Sequence, residues 1–248
     1  EEVISPGIGL KQKDKNTDII RVAYDSPKTP SRTFEYNIKT KEKKLVKEQI
    51  VPSGHVRDNY IVKRVNCEAH DGRQIPMTIT YHKKTKIDGS AHVLLYGYGS
   101  YGMSMSPNFS STRLSLVDRD IIWVTCHIRG GMERGMRWWK EGKMLNKKNT
   151  FSDFISCAKF LIEKKYTSKK KIIAYGGSAG GLLLGSTINQ IPDLLLGAIM
   201  AVPFVDNLTT NMDHSLPLTK GELLEFGDAK NNKAVSYTHL TLPTTPYV

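Results

Sequence analysis

Cysteine is scarce in this chain of 248 residues: Cys67, Cys126 and Cys157 are the only three. Each sits in an apolar, strand-like or helix-like stretch, which argues against a disulfide framework and makes them core thiols. Long apolar runs are missing as well. None approaches the ~20 residues that cross a bilayer as a helix, and no secretory leader stands at Glu1. The expectation is a soluble, cytoplasmic protein with no membrane partner. Acid is the minority charge, 24 Asp and Glu against 36 Lys and Arg, for a formal net charge of +12. A basic excess invites nucleic acid, but aromatics make up only 8% of the chain and are not interleaved with the lysines, as a base-stacking platform needs. The lysines cluster with acids in loop-like segments such as Lys11-Gln12-Lys13-Asp14-Lys15 and Lys41-Glu42-Lys43-Lys44. These read as solvated turns, so no nucleic-acid partner is expected.

The remaining composition, 39% hydrophobic and 24% charged, is that of a folded domain. Its patterning changes near residue 60. Before it, Ile19–Tyr24 and Thr33–Ile38 alternate as short strands of an all-β meander, separated by Pro- and Lys-rich turns. After it, Tyr60–Glu68 and Gln74–Tyr81 predict a hairpin turned at His70-Asp71-Gly72-Arg73. Four continuous apolar runs follow: 93–96, 121–126, 172–175 and 198–202. Runs of this kind belong to parallel strands buried on both faces. Between the second and third, Phe151, Phe154, Ile155, Ala158, Leu161 and Ile162 recur at helical spacing behind a cap at Asn149 or Thr150. The predicted fold is α/β, a doubly wound, mostly parallel sheet.

Gly176-Gly177-Ser178-Ala179-Gly180 lies between the third of these runs and a small-residue helix. A serine at the tip of a strand-to-helix turn has a strained backbone, and the flanking glycines let strand and helix approach. Ser178 is the candidate nucleophile. The Ala179 N–H and the helix N-terminus beside it would meet a developing oxyanion. A second glycine motif, Gly97-Tyr98-Gly99-Ser100-Tyr101-Gly102, fits a dinucleotide fingerprint with Asp118 and Asp120 beyond it. Pro107 and the polar stretch before it cannot open the helix that such a fingerprint requires, so no nucleotide cofactor is expected. Acyl transfer needs a second oxyanion donor, and the Tyr98 hydroxyl could supply it.

Five blocks, Leu95–Gly102, Cys126–Gly135, Lys147–Asp153, Gly176–Gly181 and Val202–Asp206, occur in order and resemble those of the prolyl oligopeptidase family, most closely oligopeptidase B. The resemblance implies an α/β-hydrolase domain preceded by the end of a β-propeller. Residues 1–55 would be the propeller remnant and linker, and 56–233 the N-terminal part of an incomplete hydrolase domain. Residues 234–248 read as a non-family tail, and the chain as truncated at its C-terminus. By the same resemblance Ser178 is the nucleophile, Tyr98 and Ala179 form the oxyanion hole, and no metal or cofactor takes part. The substrates would be short peptides cut after Lys or Arg. Glu222 matches the first of two carboxylates that would bind the basic side chain. The second position holds Leu224, with Glu225 beside it pointing elsewhere.

Hydrolases of this class take their acid and base in the order Ser, Asp, His. His127 and His214 are out of order, and His239 lies in the tail without a suitable acid. The expectation is a chain lacking its triad Asp and His, with negligible turnover and poor solubility. Three readings stay open: a Lys/Arg-directed serine oligopeptidase, a Pro-cleaving peptidase or esterase of the same fold, and a non-catalytic scaffold.

Overall fold

A computed structural model of the chain describes residues 16–228. The segments 1–15 and 229–248, with His239 and the tail, lie outside the described residues. The first unit is an antiparallel meander of β1 (Ile19–Ser26), β2 (Thr29–Asn37) and β3 (Lys43–Glu48), in that spatial order. The strand β3 is absent from the sequence expectation, which places turns and solvated lysines there. Every residue of Lys43-Lys44-Leu45-Val46-Lys47-Glu48 is exposed, so no buried face imposes an alternation that could be read. The strand is held by its backbone ladder to β2, by Arg32–Glu48 at 2.8 Å and by Lys43 over the Phe34 ring.

A six-stranded sheet follows, built from β4 (Tyr60–Glu68), β5 (Gln74–His82), β6 (His92–Tyr96), β7 (Ile121–Cys126), β8 (Ile172–Gly177) and β9 (Leu195–Ala201). Its spatial order is β4-β5-β7-β6-β8-β9. The predicted hairpin β4–β5 pairs in register from Tyr60↔His82 to Glu68↔Gln74. Its β5 joins β7 antiparallel, and β7, β6, β8 and β9 run parallel. Six helices accompany the strands: α1 (Ser111–Val117), α2 (Met136–Lys140), α3 (Lys147–Glu163), α4 (Ala179–Gln190), α5 (Asn207–Met212) and α6 (Thr219–Phe226). The main core joins the sheet to α3 and α4 through Ile79, Leu95, Val124, Phe154, Leu161, Leu182 and Leu184, all within 1% of complete burial. A smaller core of Leu94, Leu114, Val117 and Trp123 seats α1 on the sheet. All three cysteines are free and buried in the main core, with Cys67 and Cys157 sulfurs 3.6 Å apart. No described helix is long and apolar enough to cross a membrane.

Two expectations are corrected. The helix read as capped at Asn149 or Thr150 begins at Lys147 and has no side-chain cap at Asn146. Both supposed caps are spent on tertiary bonds: Asn149 Nδ2 donates to the Glu141 carbonyl, and Thr150 Oγ1 to the carbonyls of Arg129 and Gly142. The apolar run in β9 is not buried on both faces. Leu196 is 54% and Ile199 49% exposed, because β9 forms the edge of the sheet and turns Ala198 and Met200, not these two, toward the core beside α4.

The Tyr60 hydroxyl donates to Asp118 Oδ1 at 2.8 Å. Burial, and then Asp118, pushes this phenol up to about 12. A folded pKa above the unfolded value near 10 contributes stability that is complete below pH 10 and is lost as pH rises toward 12. Urea midpoints measured from pH 8 to 11.5 should therefore fall at the alkaline end. Tyr60→Phe should cost about 1 kcal/mol at neutral pH and flatten that fall; an unchanged slope would remove Tyr60 as its source.

Candidate active site

Strand β8 ends at Gly177 and α4 begins at Ala179, leaving Ser178 alone to reverse the chain. It does so at φ 53°, ψ −120°, a conformation costly for a residue with a side chain. Three backbone bonds hold it: Ser178 N donates to the Ala201 carbonyl, and the Ser178 carbonyl accepts from Gly181 N and Phe204 N. The bend is tight enough to require glycine at 176, where a Cβ would fall 2.7 Å from the Gly180 carbonyl oxygen.

Tyr98 follows β6, the neighbour of β8, and the Gly97 N–H donates to the Tyr175 carbonyl at the end of that ladder. Its ring lies against the elbow, where a Cβ at Gly180 would fall 3.6 Å from Tyr98 Cδ2, and its phenol responds electrostatically to the Ser178 side chain. Burial holds this phenol above its ordinary value, with the neighbouring Ser178 side chain acting the other way. It therefore stays protonated and able to donate. Ala179 is buried at the first position of α4, where a backbone N–H has no intrahelical acceptor and the helix dipole is positive. A hydroxyl nucleophile and two prospective donors thus meet at the carboxyl edge of the parallel strands. The turn 97–102 opens no helix; α1 starts only at Ser111.

The sequence places Glu222 in the first turn of α6, and the structure buries it, with Tyr101 donating to Oε2 at 2.7 Å. Burial raises its pKa; Tyr101 lowers it, Glu225 raises it and Lys147 lowers it. Leu224 points outward at 71% exposure. Glu225 is buried and engaged elsewhere: Oε2 accepts from Trp139 Nε1 at 2.8 Å and Oε1 from Lys147 Nζ at 3.2 Å. Lys147 also donates to the Gly99 carbonyl at 2.7 Å and to Ser100 Oγ at 2.6 Å. Burial pulls this ammonium down to about 8, with Glu225 and Glu222 opposing.

A second ionic group lies under the turn. Arg129, 1% exposed, donates to both oxygens of the fully buried Asp153 and, through Nη1, to Asp71 at 2.6 Å. The adjoining Gly130 stacks so closely on the tyrosine turn that a Cβ there would fall 1.9 Å from the Gly99 carbonyl oxygen. Neighbouring His127 is committed through Nε2 to Thr78 Oγ1 at 2.8 Å and Arg64 Nη1 at 2.7 Å. Burial holds it below its ordinary value. His214 is exposed in the segment after α5. Among the described residues no histidine shares a hydrogen bond with Ser178.

Ser178, Tyr98 and Ala179 are thus brought together. Glu222 is tied to the same turn through Tyr101. Sequence reasoning missed Lys147, Glu225, Arg129 and Asp153 as buried charges, and Asp71 as the exposed partner of Arg129, because a charge in a mixed-charge stretch carries no sign of its burial. The one available signal was that Arg129, Lys147 and Asp153 all fall inside motif blocks.

Residues 107–243, more than half the chain, match the sequence pattern described as the prolyl oligopeptidase family. The dipeptidyl aminopeptidase BI of Pseudoxanthomonas mexicana is 43% identical over the whole chain, which covers 34% of that protein. Protease 2 of Moraxella lacunata is 40% identical over 92% of the chain and 33% of its own length. Among solved structures, oligopeptidase B from Trypanosoma brucei with covalently bound antipain superposes with a TM-score of 0.89, at 38% identity over 96% of this chain and 34% of that one. Oligopeptidase B from Leishmania major gives 0.85 at 41% identity, over 90% of this chain and 31% of that one. The chain spans about a third of the length of the curated relatives it matches.

Proposed function

Because the chain belongs to the prolyl oligopeptidase family, we propose that it carries the nucleophile and oxyanion hole of a serine oligopeptidase that cuts short peptides after Lys or Arg. The observation that carries this reading is the elbow at Ser178, with the Tyr98 ring packed against Gly180 beside it. Ser178 Oγ attacks the peptide carbonyl carbon, and its proton passes to a base drawn from outside residues 16–228. The carbonyl oxygen becomes an oxyanion that accepts from Tyr98 Oη–H and Ala179 N–H; a single preorganised donor of this kind is worth about 10²–10³ in rate. The amine leaves with the proton, and water releases the acyl group by the reverse path. The relative with covalently bound antipain supports a nucleophile in this family that forms adducts.

Glu222 supplies the carboxylate for the basic side chain. It is buried, and its present partner is a neutral phenol, so an arriving ammonium or guanidinium would give it a full counter-charge. With Leu224 at the neighbouring position, one carboxylate does the work of two. Domain organisation follows the same reading: residues 1–55 close a propeller and its linker, and hydrolase sequence begins at 56.

The test is the rate at which peptidyl diphenyl phosphonates carrying Arg or Pro beside the phosphorus phosphonylate Ser178 in the full chain, with loss of phenol. Arg should be favoured by at least about tenfold, the range of a charge-assisted hydrogen bond, and Glu222→Gln should bring the two rates near parity. A preference for Pro in the unsubstituted chain would replace this reading by the Pro-cleaving one.

A further inference from the structure

Lys147 occupies a place that is electrostatically wrong for it. It is 1% exposed at the first position of α3, where the helix dipole is positive, and a buried ammonium costs several kcal/mol unless fully paired. Its three protons have three acceptors, and these come from two elements. The Gly99 carbonyl and Ser100 Oγ belong to the turn that carries Tyr98; Glu225 Oε1 belongs to α6, which carries Glu222. Trp139 closes the other oxygen of Glu225, and Tyr101 adds a second link by donating to Glu222. Charged and titratable groups facing the ammonium are Glu225 and Glu222 from α6, and Tyr101 and Tyr98 lie on the turn they share.

We propose that Lys147 is a positioning residue that bolts the Gly97–Gly102 turn to α6, so that the Tyr98 hydroxyl and the Glu222 carboxylate are set by one shared fastening. The inference rests on the roles assigned above to Tyr98 and Glu222. It makes the alignment of the oxyanion donor depend on a side chain that touches neither substrate nor Ser178.

The experiment compares the full chain with Lys147→Met and with Lys147→Met/Glu225→Met. Removing one partner alone leaves a buried charge and lowers the melting midpoint. Replacing both by apolar side chains of similar volume restores it, since a buried ion pair exchanges for hydrophobic contact at little net cost. If Lys147 positions the turn, the double variant melts like the parent yet exchanges the backbone amides of 97–102 at least about tenfold faster. It also labels Ser178 with phosphonate at least about tenfold more slowly. Recovery of exchange protection and labelling together with the melting midpoint would reduce Lys147 to a structural lysine and overturn the proposal. Ser100→Ala keeps the ion pair and removes one acceptor, so it decides the matter if the double variant does not fold: accelerated exchange at 97–102 upholds the bolt and unchanged exchange refutes it. Failure of the parent chain to label at Ser178 would count against the peptidase reading alone, because amide exchange still reads the bolt.

Discussion

Fluorophosphonate will leave a single adduct on the chain, on the peptide containing Ser178, and Ser178→Ala will carry none. The chain has many other serines, and all share the same hydroxyl chemistry. Ser178 differs in being presented: the φ of 53° lifts its side chain out of both the strand and the helix it joins. The Tyr98 ring lies against the elbow at Gly180, and the first N–H of α4 has no intrahelical acceptor and can receive the phosphonyl oxygen. Labelling will be slow, since no described histidine is bonded to the serine. Where base and nucleophile are both in place, loss of the nucleophile costs on the order of 10⁶ in turnover. Mass spectrometry of the digested adduct is the measurement. Label scattered over surface residues, or retained in Ser178→Ala, would remove Ser178 from the proposed role.

Arg129→Met should be the most destabilising of the charge changes, by about 3–5 kcal/mol. The guanidinium holds both oxygens of Asp153, a fully buried carboxylate on α3, and reaches Asp71 in the β4–β5 turn. Its own pKa is set by burial, which lowers it, against Asp153 and Asp71, which together raise it above the ordinary value. Methionine fills most of the volume and leaves Asp153 without a counter-charge, with the backbone N–H of residue 129 still donating to Oδ2. Domains of ordinary size have only about 5–15 kcal/mol to lose. Asp153 is already raised by burial with Arg129 opposing, so without Arg129 it rises further and takes up a proton. The defect should therefore be largest at neutral pH and shrink as pH falls through that raised value. Denaturant midpoints at pH 5 and pH 7.5 test both claims; a loss under 1 kcal/mol, or one that grows on acidification, would refute them.

The elements with one buried face were legible because burial leaves a period in the sequence. All six strands in the large sheet, and the apolar stripe of α3, were read from alternating or continuous apolar patterns. At β3, exposed on every residue, there was nothing to read, and at β9 an apolar run was read as doubly buried although the sheet ends there. Hydrophobicity records what a residue can tolerate, whereas exposure depends on which element arrives beside it. The same limit applies at the site. Ser178 and its glycines are local, since one turn demands all of them, and Tyr98 could be placed by the chemistry it serves. Asn149 and Thr150 looked like caps because a side chain that can bond the local backbone can equally bond a distant carbonyl. Lys147 meets acceptors 47 to 78 residues away in sequence, and no local pattern encodes that reach.

The stacking of Gly130 on Gly99 has a mechanical corollary. The Gly102 N–H also donates to the Gly130 carbonyl at 2.9 Å, so the loop after β7 and the turn after β6 are joined by a backbone bond as well as by close packing. Swinging the tyrosine aside strains this bond to the arginine loop, which Arg129 anchors to α3 through Asp153. Relaxing the turn alone to admit a bulkier guest therefore costs the Gly102–Gly130 bond.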